Sequence, residues 1–157
     1  MSDNINSFQG IEINQPLYLY QSPMFMLTVS VVLIMGNGVV LLNDDDKFKF
    51  PGGIVRSGRE TIEFSVVRQV KEQIGIVLKK DLLIPVDFRS SPERSPSGNV
   101  VDIGMVCLID QEVLNYNGLR KEVDFEEKRF IEDGVKLVMD HDILMKRALE
   151  IVLMIRE

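Results

Sequence analysis

A chain of 157 residues fits one domain, and 45% apolar with 27% charged residues describes an ordinary globular protein, not a disordered, collagen-like or repeat sequence. Its 24 Asp and Glu outweigh 18 Lys and Arg, and a formal net charge of -6 is the wrong sign for a protein that lives on phosphate-backbone contacts, so no duplex nucleic acid partner is expected. One cysteine, Cys107, allows no intrachain disulfide; set in the apolar run VVDIGMVCLID, it reads as a buried strand thiol in a reducing, cytoplasmic setting.

Residues 1–23 mix polar residues with Gly10, Pro16 and Pro23, lack the basic start and apolar centre of a secretory signal, and read as an arm on a domain spanning 24–157. Met24 to Met35 is apolar and β-branched but too short to span a bilayer, so no membrane partner is expected. With the turn at Gly36-Asn37-Gly38 and the run Val39 to Leu42 it forms a buried hairpin. Lys47 to Phe50 alternates polar and aromatic residues, and Pro51-Gly52-Gly53 then breaks the ladder.

From Thr61 to Gln73 the period becomes helical, with Ile62, Val66, Val67, Val70 and Ile74 on one side and Gly75 as the stop. Asp81 to Arg89 and Asn99 to Asp110 read as strands joined by the Ser- and Pro-rich loop SSPERSPSG. Gln111 to Glu127 is polar and reads as a short extended piece and a mobile loop. A last helix opens at the N-cap Asp140 and buries Leu144, Ala148, Ile151, Val152 and Ile155. Met24, Met26, Met105 and Met154 fall in core-like patterns. The order is α/β or α+β in three layers, a mixed central sheet with one helix in the middle of the chain and one at its end.

Two glycines after an aromatic strand, a short loop and then a helix make a place where backbone groups can approach a charged ligand closely. The polar stripe of that helix brings together Ser65, Arg68, Gln69 and Glu72. Oxygen donors on such a face suit hard cations shared with substrate phosphates.

The string GGIVRSGRETIEFSVVRQVKEQIGI, residues 52 to 76, resembles the Nudix hydrolase box at Gly53, Glu60, Arg68, Val70, Glu72, Gly75 and Ile76. It departs from the box at Gln69 and Gln73, where the family has glutamate, and in the six residues between Gly53 and Glu60, where the pattern has five. FRSSPERSPSGNVVDIGMVCLI and LVMDHDILMKRAL extend the resemblance toward the ADP-ribose pyrophosphatase-like branch, over roughly residues 24 to 155. The charged loop of that branch is here the more neutral Arg94-Ser95-Pro96-Ser97-Gly98.

The resemblance implies a Nudix-type α/β/α sandwich and hydrolysis of a nucleoside diphosphate linked to another moiety, weakened by the lost glutamates. Glu72 corresponds to a catalytic metal ligand, and Glu60 pairs with Arg68 to brace the loop. Magnesium or manganese is implied, held by Glu72, the Gly53 carbonyl, Gln69 and an acid of the Asp124, Glu126, Glu127 loop, Glu127 foremost. Arg89, Glu93 and Arg94 flank the implied substrate loop. His141 matches a family position and reads as structural and not as a general base. A small-molecule nucleotide and a second copy of the chain are the implied partners. The alternative is a catalytically silent module that binds a nucleotide sugar or a protein through the same cleft.

Overall fold

The computed structural model describes residues 25–156 except 57, 97 and 114, together with the backbone of two short strands, β1 (Asn6–Phe8) and β2 (Ile11–Ile13), which pair antiparallel. The remainder of the arm expected over residues 1–23, and Met24, lie outside the described residues.

The centre of the fold is β3 (Met26–Met35), apolar along almost its whole length because both of its faces are covered. It turns at Gly36-Asn37 into β4 (Gly38–Asp44), the expected hairpin. On its other side β3 pairs in parallel with β8 (Val100–Ile109) for ten residues, from Met26 opposite Val100 to Met35 opposite Ile109. Parallel neighbours need a long crossover, and this one carries β5 (Lys47–Lys49), β6 (Gly52–Ile54), the helix α1 (Ile62–Ile74) and β7 (Ile84–Arg89). With β9 (Gly118–Asp124) and β10 (Arg129–Phe130) the sheet has eight strands, in the order β10-β9-β4-β3-β8-β7, with β5 on β4 and β6 on β3.

One helix covers each face. Val66, Val70 and Ile74 of α1 pack on Val29, Val31, Leu33, Val40 and Cys107. On the opposite face Leu144, Met145, Ala148, Leu149 and Val152 of α2 (His141–Arg156) pack on Val32, Ile34, Val39, Leu41 and Val106. The result is the expected three-layered α/β sandwich. No helix among the described residues is long and apolar enough to cross a membrane.

Several details depart from the sequence reading. Pro51-Gly52-Gly53 does not break the sheet: Gly52 and Gly53 lie in β6, opposite Ser30 and Val29 of β3. Only glycine fits there, since a Cβ at Gly52 would sit 1.9 Å from Val29 O. The polar stretch after Gln111 holds a seven-residue strand, β9, paired with β4 from Gly38 opposite Glu122 to Leu42 opposite Gly118. Its loop to β10 is a tight turn in which Asp124 Oδ1 accepts the Glu126 and Glu127 amides. Ile155, Met154 and Met26 are exposed, because the ends of α2 and β3 outrun the layers that cover them. Met105 and Cys107 are buried as expected, and burial pushes the Cys107 thiol pKa up.

Candidate active site

Helix α1 is placed by its caps. Thr61 Oγ1 accepts the Phe64 amide at 3.1 Å, and Gly75, in the left-handed region, closes the C-terminus by donating to Lys71 and Val70 carbonyls. The polar stripe of α1 splits in two. Ser65 and Gln69 are buried against β6, whereas Arg68 and Glu72 face the loop and solvent.

Arg68 is the brace. Its Nε and Nη2 donate to both oxygens of Glu60 at 2.9 and 2.8 Å, its Nη1 to Glu72 Oε1 at 3.1 Å, and its Nη2 also to Ile54 O at 3.3 Å. The paired guanidinium holds the Glu60 carboxyl down at about 2, and the Arg56 amide supports the same charge. Arg68 is itself raised by Glu60. The loop between β6 and α1 is thereby tied to the helix at three points.

Gln73 and Gln69 complete the tie. Gln73 Oε1 accepts the Gly52 amide at 3.0 Å while its Nε2 donates to Gly52 O at 2.8 Å. Gln69 Nε2 donates to Ile54 O at 3.2 Å and to Ser65 Oγ at 3.1 Å. A Cβ at Gly53 would lie 2.2 Å from Gln69 Oε1, so the missing side chain is what lets strand and helix close up. Of the loop carbonyls, those of Ile54 and Gly52 meet the α1 side chains.

Beside this loop opens a cleft of about 300 Å³ lined by Lys49, Phe50, Gly52, Gly53, Arg94 and His141 among others. Its floor is a buried ionic network. Thr28 Oγ1 and Ser30 Oγ donate to Asp102 Oδ1 at 2.5 and 3.1 Å, and Arg89 Nη2 is paired with Asp102 Oδ2. Arg89 also reaches Asp87 and Asp140, and Arg94 grips both oxygens of Asp140 at 2.9 Å. Gly104 makes room for this network, since a Cβ there would lie 2.4 Å from Asp87 Oδ1. Burial pulls the Arg89 pKa down, but Asp102, Asp87 and Asp140 outweigh it and the net direction is up.

His141 is buried among these groups and stacks on Phe50 with ring centroids 5.5 Å apart. Its Nδ1 accepts the Phe50 amide at 3.1 Å, which leaves the proton on Nε2, 3.5 Å from Ser30 Oγ. Burial pushes its pKa down to about 4. The imidazole is neutral and held in place, in line with a structural role.

The sequence-derived residues therefore fall into three groups. Glu60, Arg68, Gln69, Glu72 and Gly53 come together at the box. Arg89 and Arg94 lie beside it as members of the buried network, with Arg94 on the cleft wall, while Glu93 is exposed and bonded to Ser91. Glu127 is elsewhere, and so are Asp124 and Glu126. Val123 N donates to Asn37 O at the β3–β4 turn, whereas Gly53 is opposite Val29, about 20 Å back along β3 at the usual rise per residue. Asp140 opens α2, its carbonyl accepting the Ile143 and Leu144 amides, while its carboxylate is held by the two arginines. Asp87, Asp102 and Ser30 were missed by the sequence reading. The signal of the two aspartates was a lone acid inside an apolar strand, which stays buried only with partners.

No family model matches the chain. Over 99 residues it is 35% identical to an ADP-ribose pyrophosphatase of Methanocaldococcus jannaschii, a match that covers 63% of this chain and 55% of that protein's length. The fold superposes on a MutT/nudix family protein of Enterococcus faecalis with a TM-score of 0.67 at 20% identity, covering 87% of this chain and 67% of that one. It also superposes on the NUDIX domain of Shewanella oneidensis NrtR, solved in complex with ADP ribose, with a TM-score of 0.65 at 21% identity over 86% of this chain and 96% of that domain. This is a Nudix-fold protein.

The Nudix box implies a divalent cation, and the donor set here does not fit one. Among the described residues no group of three or more His, Cys, Asp or Glu could hold a metal. Glu72 offers the one outward carboxylate on α1's box face, and Arg68 already takes one of its oxygens. The amides of Gln69 and Gln73 point N–H groups, not oxygens, at the Ile54 and Gly52 carbonyls.

Proposed function

We propose that this Nudix-fold protein is a pyrophosphohydrolase acting on a nucleoside diphosphate joined to a second moiety, with ADP-ribose as the representative substrate, and that its turnover is slow. Water attacks one phosphorus of the pyrophosphate, the bond to the bridging oxygen breaks, and AMP and ribose 5-phosphate leave. The observation that carries the reading is the Gly52-Gly53 strand, held on α1 by Gln73 and the Glu60–Arg68–Glu72 brace and opening onto the cleft walled by Lys49 and Arg94. The cleft is at the lower end of the size range of small-molecule sites. Similarity to an ADP-ribose pyrophosphatase over 99 residues supports the substrate class.

Slow turnover follows from the two amides. Loss of one preorganised electrostatic group costs about 10² to 10³ in rate at other active sites, and two losses are not additive. Cytoplasmic residence and a homodimer belong to the same proposal. They are supported by the acidic composition with one buried thiol, and by the resemblance, respectively.

A second reading, a nucleotide-binding module without turnover, is favoured by one observation: Gln73 is bonded to backbone through both ends of its amide, Gln69 reaches the Ile54 carbonyl and Ser65 through its Nε2, and neither carries charge. AMP release from ADP-ribose, with magnesium and then manganese supplied alongside the diphosphate, separates the two readings when run beside Glu72→Gln. Calorimetric titration with ADP-ribose then measures the affinity that both readings share.

A further inference from the structure

We infer that side-chain amides stand in the place of a divalent cation in this box, so that the protein free of nucleotide takes up no cation there. The inference rests on the hydrogen-bond geometry of β6 and α1 and not on turnover, so a failed hydrolysis assay leaves it standing.

A carbonyl oxygen at the edge of a loop needs a positive partner, and a metal ion or an N–H can each supply it. Here the N–H does. Gln73 Nε2 meets Gly52 O at 2.8 Å and Gln69 Nε2 meets Ile54 O at 3.2 Å. The orientation of each amide is dictated by its surroundings. At Gln73 the Gly52 amide needs an acceptor and the Gly52 carbonyl a donor, and only one of the two flips serves both. At Gln69 the donor end lies between the Ile54 carbonyl, which also takes Arg68 Nη2, and Ser65 Oγ, and the flipped amide would set its oxygen against that carbonyl. A glutamate at either position would present only acceptors and leave a carbonyl facing a carboxylate.

The charge balance points the same way. Over residues 52–76 Glu60, Glu63 and Glu72 face Arg56, Arg59, Arg68 and Lys71, and Glu60 is spent on the brace, both its oxygens being held by Arg68. Magnesium bound through one or two carboxylates relies on substrate phosphates for the rest of its shell. Without the diphosphate nothing here offsets the dehydration of a dication, and the amide protons repel it.

The test is Mn²⁺ uptake by the full chain without nucleotide, read from loss of the free-ion electron paramagnetic resonance signal. The wild type should leave the signal of free Mn²⁺ at the level of the buffer control, and its thermal midpoint should be the same in EDTA and in MnCl2. The double variant Gln69→Glu with Gln73→Glu should take up one Mn²⁺ per chain, and its midpoint should fall in EDTA and recover with Mn²⁺. A double variant that folds only with Mn²⁺ gives the same answer. Uptake by the wild type that Glu72→Gln abolishes overturns the inference, as does a folded double variant that takes up no Mn²⁺.

Discussion

Gln73 and Gly52 hydrogen-bond each other twice, the backbone amide donating to Oε1 and the side-chain Nε2 to the backbone carbonyl. This reciprocal pair joins the last turn of α1 to the glycine strand that forms one lip of the cleft. Replacing Gln73 by Glu keeps the acceptor and deletes the donor, which turns one bond into a repulsive contact. The expected loss of stability is about 1 to 3 kcal/mol, the cost of leaving a partly buried polar group unsatisfied. Urea midpoints of the wild type and the variant, in EDTA, check it; an unchanged midpoint would mean that the pair contributes nothing.

The Arg68 brace makes a titration prediction. Glu60 is held at about 2 chiefly by its hydrogen bonds to Arg68. In Arg68→Met the charge and donors are gone while much of the aliphatic stem remains, so the Glu60 carboxyl should rise toward or above its ordinary value of 4.5. Carbon-detected NMR titration of the Glu60 carboxyl reads this directly.

Stability should fall on mild acidification because of His141. Its pKa is about 4 in the folded protein against 6.5 for the free side chain, so the unfolded chain binds the proton more readily throughout that window. The contribution of the neutral imidazole is fully present above pH 6.5, declines as pH falls, and is lost near pH 4, a total of about 3 kcal/mol. Glu60, lowered from 4.5 to about 2, acts in the same direction over its own, more acidic window. Denaturant midpoints at about pH 7, 5.5 and 4.5 should descend in the wild type, with a shallower slope in His141→Gln.

Beneath the cleft, Asp140 answers two buried guanidiniums at once. Asp140→Asn keeps the shape and removes the charge, leaving Arg94 without its carboxylate partner in this network and Arg89 with Asp87 and Asp102. Breaking a buried pair in this way costs about 3 to 5 kcal/mol. Thermal or urea unfolding measures it, and a loss below about 1 kcal/mol, as for a surface pair, would show that the network is solvated.

Much of this architecture was legible in local pattern. Thr61, the apolar positions 62 to 74 and Gly75 mark α1 at both ends because caps and helical period are properties of adjacent residues. The hairpin through Gly36-Asn37 is equally local. What was not legible depends on partners far away in sequence. Gly52 and Gly53 look like a break until β3 is placed beside them, and the polar strand β9 declares itself only through its register with β4. The box residues Glu60, Arg68 and Glu72 were legible because they lie within one loop and one helix. Glu127 was misplaced, since nothing in the sequence says which end of β3 its turn will meet. Asp87, Asp102 and Asp140 converge from three segments, and only the fold brings them to Arg89.

The proposed activity is tested most directly by AMP release from ADP-ribose with magnesium and then manganese, beside the Glu72→Gln variant. Slow turnover in the wild type that falls to background in Glu72→Gln is the expected result. Absence of turnover in a folded wild-type protein, or equal turnover in both, would contradict a pyrophosphohydrolase at this box.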